Sequence, residues 1–358
     1  MAFLVRRFSL SPPITRSFRS EAALEALSAA SSAKTVNLVL YNYPSISGAF
    51  SAVFANIYHS RLNLPCLILP FSQIAPFSVG DVIIEGLERC FLLDFVGPKG
   101  FALQLSKEKS CEVISFDHRK SVIAEIPPKE EFDGNLKFHI NLEKSSAVSV
   151  YDYFSSKLSG FEHRVDDTGL FNANEQHRIE RLLDYIGDRD LHKGAMPDIE
   201  AFNIGIRDWY SKLNCITNAR MYEQLTEMNV VDVIAKGNSY LSARRGTAKI
   251  FLDKVGRIFK VRLGRGLYGD CLGIRADDNP DLKDELGEEL CQKSAEAGLR
   301  PIGAVIYMQR KNLKMCLRSN DGRTDVSEIA KAYGGGGSQK SSSFIIRMDE
   351  YNQWLSMH

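Results

Sequence analysis

Two short apolar runs, residues 91–93 and 113–116, each end abruptly in an aspartate, Asp94 and Asp117. Runs of this length and composition read as buried β-strands. In an open parallel sheet, ligands lie beyond the carboxyl ends of the strands. Two strands that deliver an acid at the same end therefore predict a carboxylate cluster, which suits a divalent metal and phosphate chemistry. The second run continues into His118 and Arg119, groups able to bind a metal, relay a proton or hold a phosphate. A single aspartate after a strand is ordinarily a loop-opening or capping residue, and it is the pair at equivalent strand ends that points to a site.

The surrounding pattern predicts the scaffold. Residues 35–41 read as a strand, 42–48 as a turn, and Phe50, Val53, Phe54 and Ile57 recur at helical spacing. Further strands are expected at 66–69, 82–84 and, on an edge, 137–142, with a helix at 101–108. Strands alternating with helices imply right-handed crossovers and a mostly parallel sheet covered on both faces. From residue 149 to about 254 the pattern is helical (151–158, 174–186, 200–213 and a long segment from 221), with Gly237 as a bend. Strands return at 257–263, 272–275, 302–309 and 313–318 around a helix at 282–297. A helix at 325–332, the glycine run 334–337, a strand at 343–347 and a short terminal helix follow. The expected fold class is α/β, with an N-terminal mostly parallel sheet domain (34–198), a helical connector (199–254) and a second, smaller α/β domain (255–358).

Charge has to be read locally, because 45 basic side chains face 44 acidic ones. Residues 243–266 hold eight basic groups against the single acid Asp253. With Phe251, Phe259 and Tyr268 nearby, they suit a nucleic-acid backbone and stacked bases; equally, they suit a solvated face paired with the acidic helix at 277–289. Seven cysteines without C-x-x-C spacing read as reduced and structural. No apolar stretch reaches the roughly 18 residues that span a bilayer, so no membrane partner is expected. The first twenty residues carry Arg6, Arg7, Arg16 and Arg19, several serines and no acid. That composition predicts a transit peptide over residues 1–33, mitochondrial rather than chloroplast, with folding from near Lys34; a basic arm on the mature protein is the competing account.

Two more stretches carry chemistry. In DYIGDRDLHKG, Asp184, Asp188 and Asp190 sit beside Arg189 and His192, either as a further acid for the site or as an ion-paired helix end. In YGGGGSQKSSSF, consecutive glycines let the backbone approach an anion while the serines and Lys340 donate to it. Arg318, ending a strand just before, offers a bidentate clamp for the same anion.

Taken in order, FLLDF, FDHR, DYIGDRD and LRSNDG followed by SEIAKAYGGGGS resemble the DHH phosphoesterase superfamily, in the branch with a DHH-associated C-terminal domain, over residues 34–348. That group includes RecJ-like exonucleases, oligoribonucleases and phosphodiesterases of nucleotide second messengers. The resemblance implies two α/β domains facing a cleft, manganese held by the first and substrate phosphate gripped by the second. Asp94, Asp117, His118 and Asp190 (less readily Asp188) then match metal ligands, His118 and Arg119 stand at the reaction, and Arg318, Gly335, Gly336, Gly337 and Ser338 match the substrate grip.

The chain departs from that pattern. Asn42 and Ser47 stand where the family has a histidine and an aspartate before Gly48, Arg119 replaces the last histidine of the namesake motif, and Ser338 replaces the histidine after the glycines. A two-metal site that loses a carboxylate and an imidazole holds its ions weakly, so one manganese is expected rather than two. Arg119 can instead neutralise the carboxylates, or a phosphate, without a metal. Two functions follow: a mitochondrial manganese phosphodiesterase in which a metal-bound hydroxide attacks short oligonucleotides or nucleotides, or a catalytically degenerate member serving as a nucleic-acid-binding or scaffold subunit. Short RNA or a nucleotide is the expected partner in both, and a homodimer is left open.

Overall fold

The structure is a computed structural model that describes residues 20–74, 76–128, 134–160, 169–254 and 257–355. The chain divides into two units, one running to Gly237 and the other from Asn238 to His358.

The first unit is built on a five-stranded sheet of β1 (Asn37–Tyr43), β2 (Cys66–Ser72), β3 (Arg89–Leu93), β4 (Glu112–Asp117) and β5 (Leu136–Ile140). Their order is β2-β1-β3-β4-β5 and every pairing is parallel. Side chains alternate across a strand, so each strand feeds two cores. Val39, Tyr41, Phe91, Leu93, Ile114 and Phe116 pack on one side among α2 (Ile46–Arg61), α4 (Ser146–Ser159) and α5 (Ala173–Asp190). Leu38, Leu40, Cys90, Leu92 and Val113 pack on the other with α1 (Glu21–Ser32) and α3 (Phe101–Lys109).

Four expectations need correction or refinement. Folding starts before Lys34: Ala23, Leu27 and Ala30 recur at helical spacing and bury one stripe of α1 in the second core. Residues 1–19, where most of the leader reading falls, lie outside the described residues. Residues 82–84 form no strand. Val82 and Ile84 are buried and Ile83 is exposed, but the backbone there meets α1, with Ser31 Oγ donating to the Ile83 carbonyl and accepting from the Glu85 amide. The helices of residues 199–237 do not stand apart as a connector, because Phe202, Ile206, Leu225 and Val233 belong to the first core. Gly237 is not a bend either: α8 (Val230–Lys254) is one helix through it. A Cβ at 237 would lie 1.8 Å from the Ala201 carbonyl oxygen of α6 (Ile199–Gly205), so glycine is there to let two helices touch.

The second unit has a six-stranded mixed sheet, β10-β11-β9-β8-β7-β6, from β6 (Phe259–Arg262), β7 (Asp270–Arg275), β8 (Ile302–Gln309), β9 (Asn312–Ser319), β10 (Gly336–Ser338) and β11 (Ser341–Ile346). Only β7 and β8 run parallel. Leu286 and Leu290 of α9 (Lys283–Glu296) cover one face; Ile329 of α10 (Val326–Ala332) and Trp354 of α11 (Met348–Trp354) cover the other. Half of the basic stretch is paired with acids of its own unit. Arg244 pairs with Glu285 and Lys249 with Glu289, both on α9, while Lys260 pairs with Asp270 and Arg265 with Glu350. Of the two accounts of that stretch, pairing with the acidic helix is the one realised by Arg244 and Lys249. No helix among the described residues is long and apolar enough to cross a membrane.

Candidate functional site

Strand register assembles the site. Leu93 is level with Tyr41 on β1 and with Phe116 on β4. The next residues, Asn42, Asp94 and Asp117, therefore stand in a row at the carboxyl ends of three adjacent strands. The chain places β2 on one flank of β1 and β3 on the other, so the row straddles the point where strand order reverses and a crevice opens.

Asp94 is 2% exposed and holds a left-handed backbone at φ +67°, a conformation a non-glycine residue adopts only under the constraint of its surroundings. Its Oδ2 accepts from Asn42 Nδ2 at 3.0 Å and from Ser45 Oγ at 2.5 Å. Its Oδ1 has no hydrogen bond and lies 3.4 Å from His118 Nδ1. Burial pushes the Asp94 carboxyl up, but His118, Ser45 and the Arg119 charge together outweigh it and hold it below the usual range.

Asp117 is fully engaged. Oδ1 accepts from the His118 amide at 2.7 Å, the Arg119 amide at 2.9 Å and Arg119 Nε at 2.9 Å, and Oδ2 accepts from Arg119 Nη2 at 2.6 Å. The same Nη2 donates to the Asp94 carbonyl at 2.9 Å, so one guanidinium ties two strand ends together. Its Nη1 carries no hydrogen bond among the described residues.

Asp190, at the end of α5, is the third acid of the cluster. Its Oδ1 lies 3.3 Å from Arg189 Nη1, and its Oδ2 is buried without a hydrogen bond. Burial, and then the charge of Asp94, push its carboxyl up to about 6. His118 feels burial downward, but Asp94, Asp190 and Asp117 raise it above the ordinary imidazole value. Asp188, the alternative, instead accepts from the Ala195 amide at 2.8 Å and shapes the turn after α5. Ser47 accepts the Ala147 amide of α4 at 2.9 Å. The position where the resemblance expects an acid thus anchors a helix.

Asn42, Ser45, Asp94, His118, Arg119, Arg189 and Tyr210 line a cavity of about 220 Å³, all within the first unit. Ser45, Ser146 and Tyr210 were not singled out in the sequence. Ser45 is legible afterwards as the N-cap of α2; Ser146, 2.9 Å from His118 Nδ1, and Tyr210, bonded to Arg189, carried no local signal.

The expected ligands Asp94, Asp117, His118 and Asp190 thus converge, but as arranged they do not fit a manganese ion. Both Asp117 oxygens face a guanidinium, Asp94 Oδ2 is taken by two donors, and no group of three or more His, Cys, Asp or Glu among the described residues is placed to hold a metal. Arg119 supplies the positive charge that these carboxylates require.

In the second unit, Arg318 pairs with Asp284 and donates to its neighbour's carbonyl, Leu317 O. Gly336, Gly337 and Ser338 form the edge strand β10, antiparallel to 341–343. A Cβ on Gly335 would sit 2.2 Å from Ser343 O, so the glycine run serves the close approach of two strands.

No family model matches the chain, and no curated protein matches it. Solved structures do match. The pGpG-specific phosphodiesterase PggH from Vibrio cholerae is 12% identical at a TM-score of 0.41, over 88% of this chain and 95% of that one. An exopolyphosphatase-related protein from Bacteroides fragilis is 12% identical at 0.35, over 93% and 94%. Exonuclease RecJ bound to manganese is 14% identical at 0.31, over 94% and 93%. Such identities and scores carry no argument about activity. Proteins of the kind named in the sequence resemblance, a RecJ exonuclease and a pGpG phosphodiesterase, are thus among the structures this chain is similar to.

Proposed function

We propose that this chain is a phosphoesterase-like protein that binds the phosphate of a nucleotide or short RNA at the Asp94 cluster and does not hydrolyse it by metal-assisted chemistry. The observation that carries the reading is the fork of Arg119 on Asp117, with Nη1 left over to receive an anion. Arg119 and Arg189 bring positive charge to the small cavity, and the one carboxylate that faces it, Asp94, is held by donors from Asn42 and Ser45. Binding therefore needs no ion, and there is no open ligand set to generate a hydroxide. An organellar role, as a nucleic-acid-binding or scaffold subunit, is part of this proposal.

The full chain, mixed with 5′-phosphorylated di- to pentanucleotides, should bind them in the presence of chelator and lose affinity by about tenfold or more in Arg119→Ala, the worth of one charged hydrogen bond. Added Mn²⁺ should release no mononucleotides. The competing reading, a one-manganese hydrolase, draws on Asp94 Oδ1 and Asp190 Oδ2, buried oxygens that accept no hydrogen bond of normal geometry among the described residues. Mononucleotide release that requires Mn²⁺ and disappears in Asp117→Ala would establish it instead.

A further inference from the structure

Arg119 also lines a second, larger cavity of about 610 Å³. This volume lies inside the range of about 300–1,000 Å³ usual for small-molecule sites. Its wall is apolar where it is deep, at Phe71, Phe95, Val96 and Val122, which are 1–6% exposed. Phe71 and Phe95 stack there with ring centroids 4.5 Å apart. Toward its mouth the lining changes to exposed polar groups, Gln73, Lys99, Ser121 and Glu125. All of these residues belong to the first unit.

The two cavities differ in chemistry and share one residue. The 220 Å³ cavity is lined by polar and charged side chains apart from Pro44, while the 610 Å³ cavity has an apolar floor and hydrogen-bonding groups at its rim. Arg119 belongs to both walls, is fixed by Asp117 and the Asp94 carbonyl, and keeps Nη1 uncommitted. A ligand that uses the pair needs an anionic group and, a few bonds away, a flat body with an apolar face and a polar edge. A nucleoside monophosphate has that shape. Apolar and aromatic walls favour the base ring, and Gln73 and Glu125 offer donors and acceptors to its edge.

We infer that the larger cavity is a nucleobase chamber, and that the site takes a nucleoside 5′-monophosphate, free or as the end of a short strand, with the base there and the phosphate on Arg119. This rests on the anion site proposed above and assigns the part of the ligand which that proposal leaves undefined.

Calorimetric titration of the full chain, in chelator, with inorganic phosphate, ribose 5-phosphate, AMP and GMP tests it. The nucleotides should bind roughly tenfold or more tighter than ribose 5-phosphate, the worth of one enclosed base. In Ser121→Trp, and separately in Gln73→Trp, an exposed rim position gains a bulky ring that fills the chamber, and the ratio of nucleotide to ribose 5-phosphate affinity should fall toward one. Equal affinity for all phosphates in the native chain, or a ratio unchanged in both variants, overturns the chamber and leaves the anion site standing. Absence of binding by every phosphate overturns the anion site and the chamber with it.

Discussion

Arg119 lies forked on Asp117, with Nε 2.9 Å from Oδ1 and Nη2 2.6 Å from Oδ2, at the carboxyl end of β4. Asp117 is fully buried and the guanidinium is about a third exposed, with side-chain exposures of 0% and 35%. Removing one partner of such a pair leaves the other uncompensated in the interior. Arg119→Ala should cost about 3 kcal/mol in denaturant unfolding, the low end for a buried pair because one member keeps some water. The double variant Arg119→Ala with Asp117→Asn should recover most of that loss. A double variant as unstable as Arg119→Ala would show that the guanidinium acts through other contacts.

Asp190 gives the protein a pH-dependent weakness. Its carboxyl is raised from 3.8 to about 6, by burial first and by Asp94 second. The folded state therefore keeps this proton after the unfolded state has released it, and stability from this group falls as pH rises from about 4 through about 6. A shift of that size corresponds to roughly 2–3 kcal/mol. Asp190→Asn should unfold at higher denaturant than the native chain at pH 8 and at nearly the same denaturant at pH 4. A variant less stable at pH 8 would mean that a bound cation normally compensates the charge.

The same titrations set the sign for anion binding. As pH rises from 6 to 8, Asp190 completes its ionisation, and His118, which its acidic neighbours hold above the ordinary imidazole value, moves toward its neutral form. The first adds negative charge beside the cavity and the second takes positive charge from its wall. Affinity for inorganic phosphate should weaken by about tenfold across that interval, beyond any change caused by the ligand's own ionisation. Affinity that rises with pH would contradict the charge assignment.

The α1 helix belongs to the fold. Its buried stripe of Ala23, Leu27 and Ala30 is worth about 3 kcal/mol by the area it removes from water. A chain that starts at Lys34 should unfold at lower denaturant by about that amount compared with one that starts at Ser20, measured side by side. Equal stability would show that the helix packs without contributing.

Much of the scaffold is legible locally, because a buried parallel strand is a short apolar run and its end is marked by the first charge. That rule finds β3 and β4 and puts Asp94 and Asp117 together, while β1 is legible from its apolar run alone. It fails at 82–84, where the same kind of run meets the side chain of Ser31 on α1 and not another strand. Glycine shows a related limit. Gly237 answers to the backbone of distant Ala201, which no short window of sequence contains, and Gly335 meets Ser343 because β10 and β11 pair. Asp190 comes to the cluster by the packing of α5; its stretch offers Asp184, Asp188 and Asp190 alike as a further acid, and only the family resemblance favours Asp190 among them. Arg119 stands out in the sequence as a departure, yet whether it faces a ligand or closes on Asp117 depends on its side-chain conformation.

The account turns on whether that guanidinium has taken over from a metal ion. Manganese bound by the purified full chain, measured by equilibrium dialysis at neutral pH alongside Arg119→His, addresses this directly. The native chain should bind no stoichiometric manganese, whereas Arg119→His, which frees Asp117 Oδ2 from the guanidinium and adds an imidazole, should gain at least one site. Tight manganese on the native chain, unaffected by the substitution, would contradict the account.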